Sequence, residues 1–161
     1  MKILAVQNRM GIGDTVIFLP FIKALSKKFN SPISLLIKEN SKADQYLFQT
    51  KYIDRIIILE RDKKNNNRHS GFFGSFHLIN EIKKYNFDKI FIFNSSLRFN
   101  LIAKLSKIPD IYQYPLFQKT KQHIVDTPKK FLKDKLNLEV NEDPQIEIEN
   151  NLIERSINQF K

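Results

Sequence analysis

Met10-Gly11-Ile12-Gly13-Asp14-Thr15-Val16 separates two segments of different character. Upstream, Ile3-Leu4-Ala5-Val6 is a short apolar run that suits a buried strand. Downstream, Phe18, Phe21, Ile22, Leu25 and Phe29 recur at three- and four-residue steps, which predicts one apolar face of a helix. The chain must turn sharply between them, and two glycines remove the Cβ clash that would resist the turn. Such a turn delivers unbonded backbone N–H groups at a helix N-terminus, a ready site for an anionic group. Asp14 belongs to that same terminus, where the helix dipole favours a carboxylate. An anion cradle with a base beside it is a reaction centre in outline. The same residues also suit any doubly wound domain that opens with strand, glycine turn and helix, with Asp14 as a helix cap.

The pattern continues along the chain. Ile33-Ser34-Leu35-Leu36-Ile37 predicts a second strand. Ser41 with Asp44 resembles a capping box and predicts a short helix to about Gln49. Residues 53–59 form a third apolar, β-branched run, and residues 60–75 read as a polar loop. Phe76, Ile79 and Ile82 give residues 76–85 helical spacing, and Ile90-Phe91-Ile92-Phe93 is the clearest strand. Leu97, Leu101 and Leu105 share one face of the next helix, and residues 111–114 suit a short strand. Thr127-Pro128 has the chemistry of an N-cap and first helical position, opening a helix through about Leu136. Pro20, inside the first helix, removes one backbone hydrogen bond and predicts a kink.

Strands alternating with helices at this spacing predict a Rossmann-like α/β domain: a mostly parallel sheet, right-handed crossovers and helices on both faces. Beyond residue 136 the pattern changes. Residues 137–143 are polar and acidic, 146–148 alternate like a short strand, and 152–160 begin a helix. The expected organisation is one domain over residues 1–143, followed by a connecting segment over 144–161.

With 161 residues the chain is long enough for one domain with a core and too short for two ordinary ones. A hydrophobic content of 42% excludes a disordered chain. The absence of cysteine excludes a disulfide framework and thiolate chemistry. Asn8, Arg9 and Asp14 interrupt the N-terminal apolar run, which is too short and polar for a signal peptide. No apolar stretch approaches a membrane span. These features point to a cytoplasmic protein, with room for peripheral contact at the inner face of the membrane.

The net charge of +10 favours an acidic partner. Because Lys, Asn and Ile abound while Ala and Gly are scarce, local clustering is more telling than the total. Arg61, Lys63, Lys64 and Arg68 stand against Asp62 alone in residues 61–70. Gly71 and Gly74 then flank Phe72-Phe73, predicting a mobile amphipathic segment. Basic side chains there suit phosphates or acidic sugars, and the two phenylalanines suit a bilayer interface. A solvated loop is the plainer alternative. Arg98, just after the fourth strand, is well placed for the C-terminal edge of the sheet, where such folds bind ligands. His69, His77 and His123 are too scattered for a metal site, so neither metal nor cofactor is expected.

The strand followed by Gly11-Ile12-Gly13-Asp14, then Pro20, Lys23 and Leu25, resembles the N-terminus of glycosyltransferase family 9, the lipopolysaccharide heptosyltransferase family. Residues 85–93, with Phe87-Asp88 leading into the strand, resemble that family's fourth strand, and residues 94–105 its following loop and helix. His123, Val125 and Asp126 resemble, more loosely, a later His-containing segment. The resemblance implies one half of a GT-B architecture, in which the N-terminal domain holds an anionic glycolipid or glycan acceptor. The nucleotide-sugar donor belongs to a second domain, so this half alone is expected to be inactive. By the same resemblance Asp14 is the general base of an inverting transfer of a heptose-like sugar. Gly11, Gly13, Arg9, Arg61, Lys63, Lys64, Arg68 and Arg98 are then candidate acceptor contacts. One departure is that Gln7 and Asn8 stand where the family often has Arg, with Arg9 following.

Two other classes stay open. In a nucleotide-binding Rossmann domain, Val16 would occupy a position that favours Gly or Ala, and Asp14 would sit beside a pyrophosphate. In a basic nucleic-acid-binding module, charge is the support, but no nucleic-acid motif appears and no such partner is expected.

Overall fold

β1 (Ile3–Gln7) is buried at every position. A strand covered on both faces reads as an unbroken apolar run, and β1 is the centre of the sheet. The structure, a computed structural model, describes residues 1–9, 11–61, 67–116 and 124–146. After β1 come α1 (Ile12–Phe29), β2 (Ile33–Lys38), a 3-10 turn (Glu39–Ser41) and α2 (Ala43–Tyr46). Then follow β3 (Ile53–Leu59), α3 (Gly71–Lys83), β4 (Lys89–Ile92), α4 (Leu97–Leu105), β5 (Asp110–Gln113) and α5 (Asp126–Leu136). The five strands pair in parallel in the order β3-β2-β1-β4-β5. The expected Rossmann-like architecture is the observed one.

Strand alternation splits the core in two. Ile3, Ala5, Leu35 and Phe91 face Phe18 and Leu25 of α1 and Phe131 and Leu132 of α5. Leu4, Val6, Leu36 and Ile90 face the other way, against Leu78, Ile79 and Ile82 of α3 and Phe99 and Ile102 of α4. Aromatic rings fill the first layer, with Phe91 stacked on Tyr112 at 4.7 Å and Phe93 edge-on to Phe18 and Phe131. α1 is helical throughout Ile12–Phe29, with Pro20 buried within it.

Three local expectations are corrected. First, the expected loop over 60–75 already turns into helix at Gly71. Glycine normally weakens a helix, but Gly74 lets α3 approach the His69 backbone so closely that a Cβ would lie 2.3 Å from its carbonyl carbon. The Phe72-Phe73 segment is therefore the first turn of a packed helix. Second, Ser41 does not cap a longer helix. Its hydroxyl donates to the Lys38 carbonyl within the 3-10 turn, and α2 ends at Tyr46. Third, α5 begins at Asp126, which places Pro128 two residues inside, where its missing N–H still costs nothing. Leu97, Leu101 and Leu105 share a helix face as expected, and it is the solvent face: they are 57%, 57% and 45% exposed. Phe99, Ile102 and Ala103 carry the packing instead. The strand-like and helical patterns at 147–161 lie outside the described residues.

His69 locks the approach to α3. It is 1% exposed, and its backbone N–H donates to the Glu60 carbonyl at 3.0 Å. Its Nδ1 accepts from the Glu60 backbone N–H at 3.1 Å, and Nε2 lies 3.2 Å from Glu81 Oε2. An Nδ1 that accepts carries no proton, so the ring is the neutral Nε2–H form donating to Glu81. Burial holds its pKa below the ordinary histidine value, outweighing the opposing pull of Glu81. Because the folded value is depressed, this contribution to stability is complete above about pH 6.5 and is lost as pH falls through the folded value. The melting temperature is expected to drop from pH 7.5 to 5.5, and to drop less in His69→Gln, whose amide oxygen can still accept from Glu60. Equal pH dependence in the two proteins would contradict this assignment.

Candidate functional site

β1 and β4 are neighbours in the sheet, yet the helices that follow them leave on opposite faces, α1 with one core layer and α4 with the other. That divergence opens a crevice at the carboxyl ends of the two strands, the place where open parallel sheets bind ligands. Two polar loops line it.

The first loop runs from Gln7 to Asp14. Gln7 is 3% exposed, although it ends an apolar strand. Its Oε1 accepts from the Arg9 backbone N–H at 2.9 Å, and its Nε2 donates to the Asp14 carbonyl at 3.4 Å. One buried amide thus ties the end of β1 to the first turn of α1. Gly11 is the N-cap, with φ of 100°, a conformation that strains any residue with a Cβ. Thr15 Oγ1 donates to its carbonyl at 3.1 Å. No side chain caps the helix, so Asp14 is not the cap; it is the third helical residue. Asp14 is half-buried, and its carboxylate has no hydrogen-bond or ion-pair partner among the described residues. A Cβ on Gly11 or Gly13 would meet nothing within 4 Å. The space in front of this helix terminus is open.

The second loop follows β4. Asn94 Oδ1 accepts from the Ser96 N–H at 2.9 Å. Gln113, from the end of β5, donates through Nε2 to the carbonyls of Asn94 (3.1 Å) and Ser96 (2.9 Å). Asn100 Nδ2 in turn donates to Gln113 Oε1 at 2.7 Å. This chain of amides holds the far wall of the crevice. Tyr114, one residue on, is buried among Phe93 and Phe131, and burial raises its phenol pKa despite the nearby Arg9 charge. Arg9 itself is exposed, with its charge near Tyr114.

The candidate residues fall into two groups. Arg9, Gly11, Gly13 and Asp14 gather at the end of β1. Arg61, Arg68 and Arg98 gather instead at the entry to α3. Arg98 Nε donates to Ser75 Oγ at 3.0 Å and Nη2 to the His69 carbonyl, tying α4 to α3. Burial lowers its pKa, with the nearby Arg61 charge acting in the same direction. Arg68 Nη2 lies 3.5 Å from Glu81 Oε2. Lys63, Lys64 and His123 lie outside the described residues. The glutamines and asparagines of the crevice walls escaped sequence reasoning. Gln7 alone left a signal, as a polar residue closing an apolar strand, and the rest become neighbours only when β5 pairs with β4.

Among the described residues there is no group of three His, Asp or Glu side chains that could hold a metal ion, and no helix long and apolar enough to cross a membrane. No protein-family model matches the chain, and no curated protein matches it. Solved structures do share its fold. The glycosyl transferase family 9 protein from Veillonella parvula superposes with a TM-score of 0.73 at 21% identity, over 99% of this chain and 48% of that one. The E. coli ADP-heptose lps heptosyltransferase II gives 0.64 at 13% identity, over 100% of this chain and 51% of that one. An E. coli heptosyltransferase with ADP-2-deoxy-2-fluoro heptose gives 0.56 at 13% identity, over 91% and 51%. The chain spans about half the length of these structures.

Proposed function

We propose that this chain is the acceptor-side half of a family 9 glycosyltransferase of GT-B architecture, acting on an anionic glycolipid or glycan. The observation that carries the reading is the helix terminus at the β1/β4 crevice, with an Asp14 carboxylate in its first turn that has no partner among the described residues. The shared fold with heptosyltransferases supports it. In this reading residues 1–143 form the acceptor domain, and residues 144–161 connect it to a donor-binding domain.

The family resemblance supplies the chemistry of this reading. The acceptor hydroxyl docks before the first turn of α1, where backbone N–H groups and Arg9 attract its anionic substituents. Asp14 Oδ takes the hydroxyl proton as the oxygen attacks the anomeric carbon of the donor sugar. The carbon–oxygen bond to the nucleotide diphosphate breaks on the opposite face, so configuration inverts and the diphosphate leaves with the electron pair. Gln7 and Gly11 keep the carboxylate on a rigid terminus, which proton transfer within one hydrogen bond requires.

The test uses a water-soluble, deacylated phosphorylated oligosaccharide of the lipopolysaccharide type, titrated calorimetrically against this chain. Binding is expected, and Gly13→Leu, whose Cβ would meet nothing within 4 Å among the described residues, is expected to weaken it by roughly tenfold or more. Binding of NAD or FAD in place of the oligosaccharide would replace this reading with a dinucleotide-binding one.

A further inference from the structure

α3 and α4 cover the same face of the sheet, and Arg98 joins their first turns through Ser75. Their outer sides therefore look in one direction. On α3 that surface carries Phe72, Phe73 and Phe76 at 74%, 80% and 46% exposed, and α4 exposes Leu97, Leu101 and Leu105. The phenylalanine rings cluster, with Phe72 4.9 Å from Phe76 and 6.0 Å from Phe73. Single exposed apolar residues are ordinary, but three exposed rings in mutual contact mark a binding surface.

Charge narrows the occupant. Lys83 and Lys104 are the exposed charged residues of the two helices, and α4 contains no acidic residue. The one carboxylate on either helix, Glu81, is largely covered and faces His69 and Arg68. Arg61 and Arg68 add positive charge at the phenylalanine end. A second copy of this chain would bring the same cations face to face. A nucleic-acid strand would find the charge but leave six apolar side chains wet.

We propose that the outer face of α3 and α4 docks on an anionic lipid bilayer, with the phenylalanines entering the headgroup boundary and the lysines and arginines meeting lipid phosphates. The phenylalanines and Leu97 lie at the α3 and α4 N-termini, the sheet edge that also holds the crevice, and Leu101 and Leu105 follow along α4. This inference rests on the proposed function for its purpose, since docking here would bring a membrane-borne acceptor to that edge.

The experiment is flotation of the full chain with vesicles of phosphatidylcholine alone and with about one-third phosphatidylglycerol, neither containing any sugar acceptor. Binding to the anionic vesicles is expected, falling by about tenfold or more between low and high salt and little to the neutral ones. The variant Phe72→Ser/Phe73→Ser is expected to lose about tenfold or more in partitioning with an unchanged melting temperature. Leu101→Ser, distant from α3's first turn, is expected to lose severalfold and guards against a folding artefact. Equal binding to both vesicle types, no binding, or full retention by both variants would overturn the proposal. So would concentration-dependent dimerisation abolished by the same substitutions. Because the vesicles hold no acceptor and the oligosaccharide titration holds no lipid, failure of docking is distinguishable from failure of the glycosyltransferase reading.

Discussion

Asp14→Asn, placed in a complete two-domain glycosyltransferase that carries this domain, is expected to lower kcat on the order of 10²–10⁴-fold, the usual worth of a positioned base. Asn matches the shape of Asp and still accepts hydrogen bonds, but it cannot take the acceptor proton. The structure sharpens the comparison. Because Gly11 is the N-cap and Asp14 stands two residues inside the helix, the substitution removes no cap bond. Its carboxylate has no partner among the described residues, so little stability is expected to change. Acceptor affinity should stay within a few-fold, since the N–H groups of the turn remain. Turnover and melting temperature measured on the same variant separate the roles. Near-normal turnover would remove Asp14 from the mechanism, and a large loss of stability with proportionate loss of activity would make it a structural residue.

Gly74→Ala is expected to be the most damaging single-methyl change in the described structure. The new Cβ would lie 2.3 Å from the carbonyl carbon, 2.8 Å from the Cα and 2.9 Å from the oxygen of His69, all backbone atoms. That backbone cannot move aside cheaply. It is held to Glu60 through both the N–H and the ring of His69, and its carbonyl accepts from Arg98. Overpacking against fixed atoms costs about 3 kcal/mol. In a domain of this size that corresponds to a melting temperature lower by roughly 6–12 °C. Gly13→Ala is the control. A Cβ there meets nothing, and alanine is the better helix former, so neutral or slightly raised stability is expected. Thermal melts of the two variants that agree within about 2 °C would show that α3 does not need its close approach to His69.

The two glycines show where reading a sequence succeeds and where it stops. Gly11 was legible, because a turn between an apolar strand and an amphipathic helix demands an unusual backbone over a few residues. Gly74 was not. It read as a loop glycine beside Phe72-Phe73, and its purpose exists only because the first turn of α3 lies against the His69 backbone. The same holds for Arg98. Its position after β4 suggested a ligand contact, while its guanidinium reaches two groups more than twenty residues earlier in the chain. α4 adds a third case. Leu97, Leu101 and Leu105 have the spacing of a buried stripe, but nothing in spacing says which of two stripes faces the sheet, and Phe99, Ile102 and Ala103 took that side.

What the amino-acid order alone determined is local and periodic: the strand runs at 3–6, 33–37, 53–59 and 90–93, the helix after the glycine turn, and hence a parallel α/β sheet. Apolar runs, helical spacing and turn chemistry act over a few residues and need no partner to be recognised. The tertiary structure decided everything that depends on pairs distant in the chain. Pairing β1 with β4 set the crevice, pairing β4 with β5 brought Gln113 to Asn94 and Ser96, and the bonds to Glu60 and Glu81 fixed the buried ring of His69. Those contacts are made by residues with no mark of their own, because a buried amide or a missing methyl acquires its energetic meaning only from the atoms the fold sets against it.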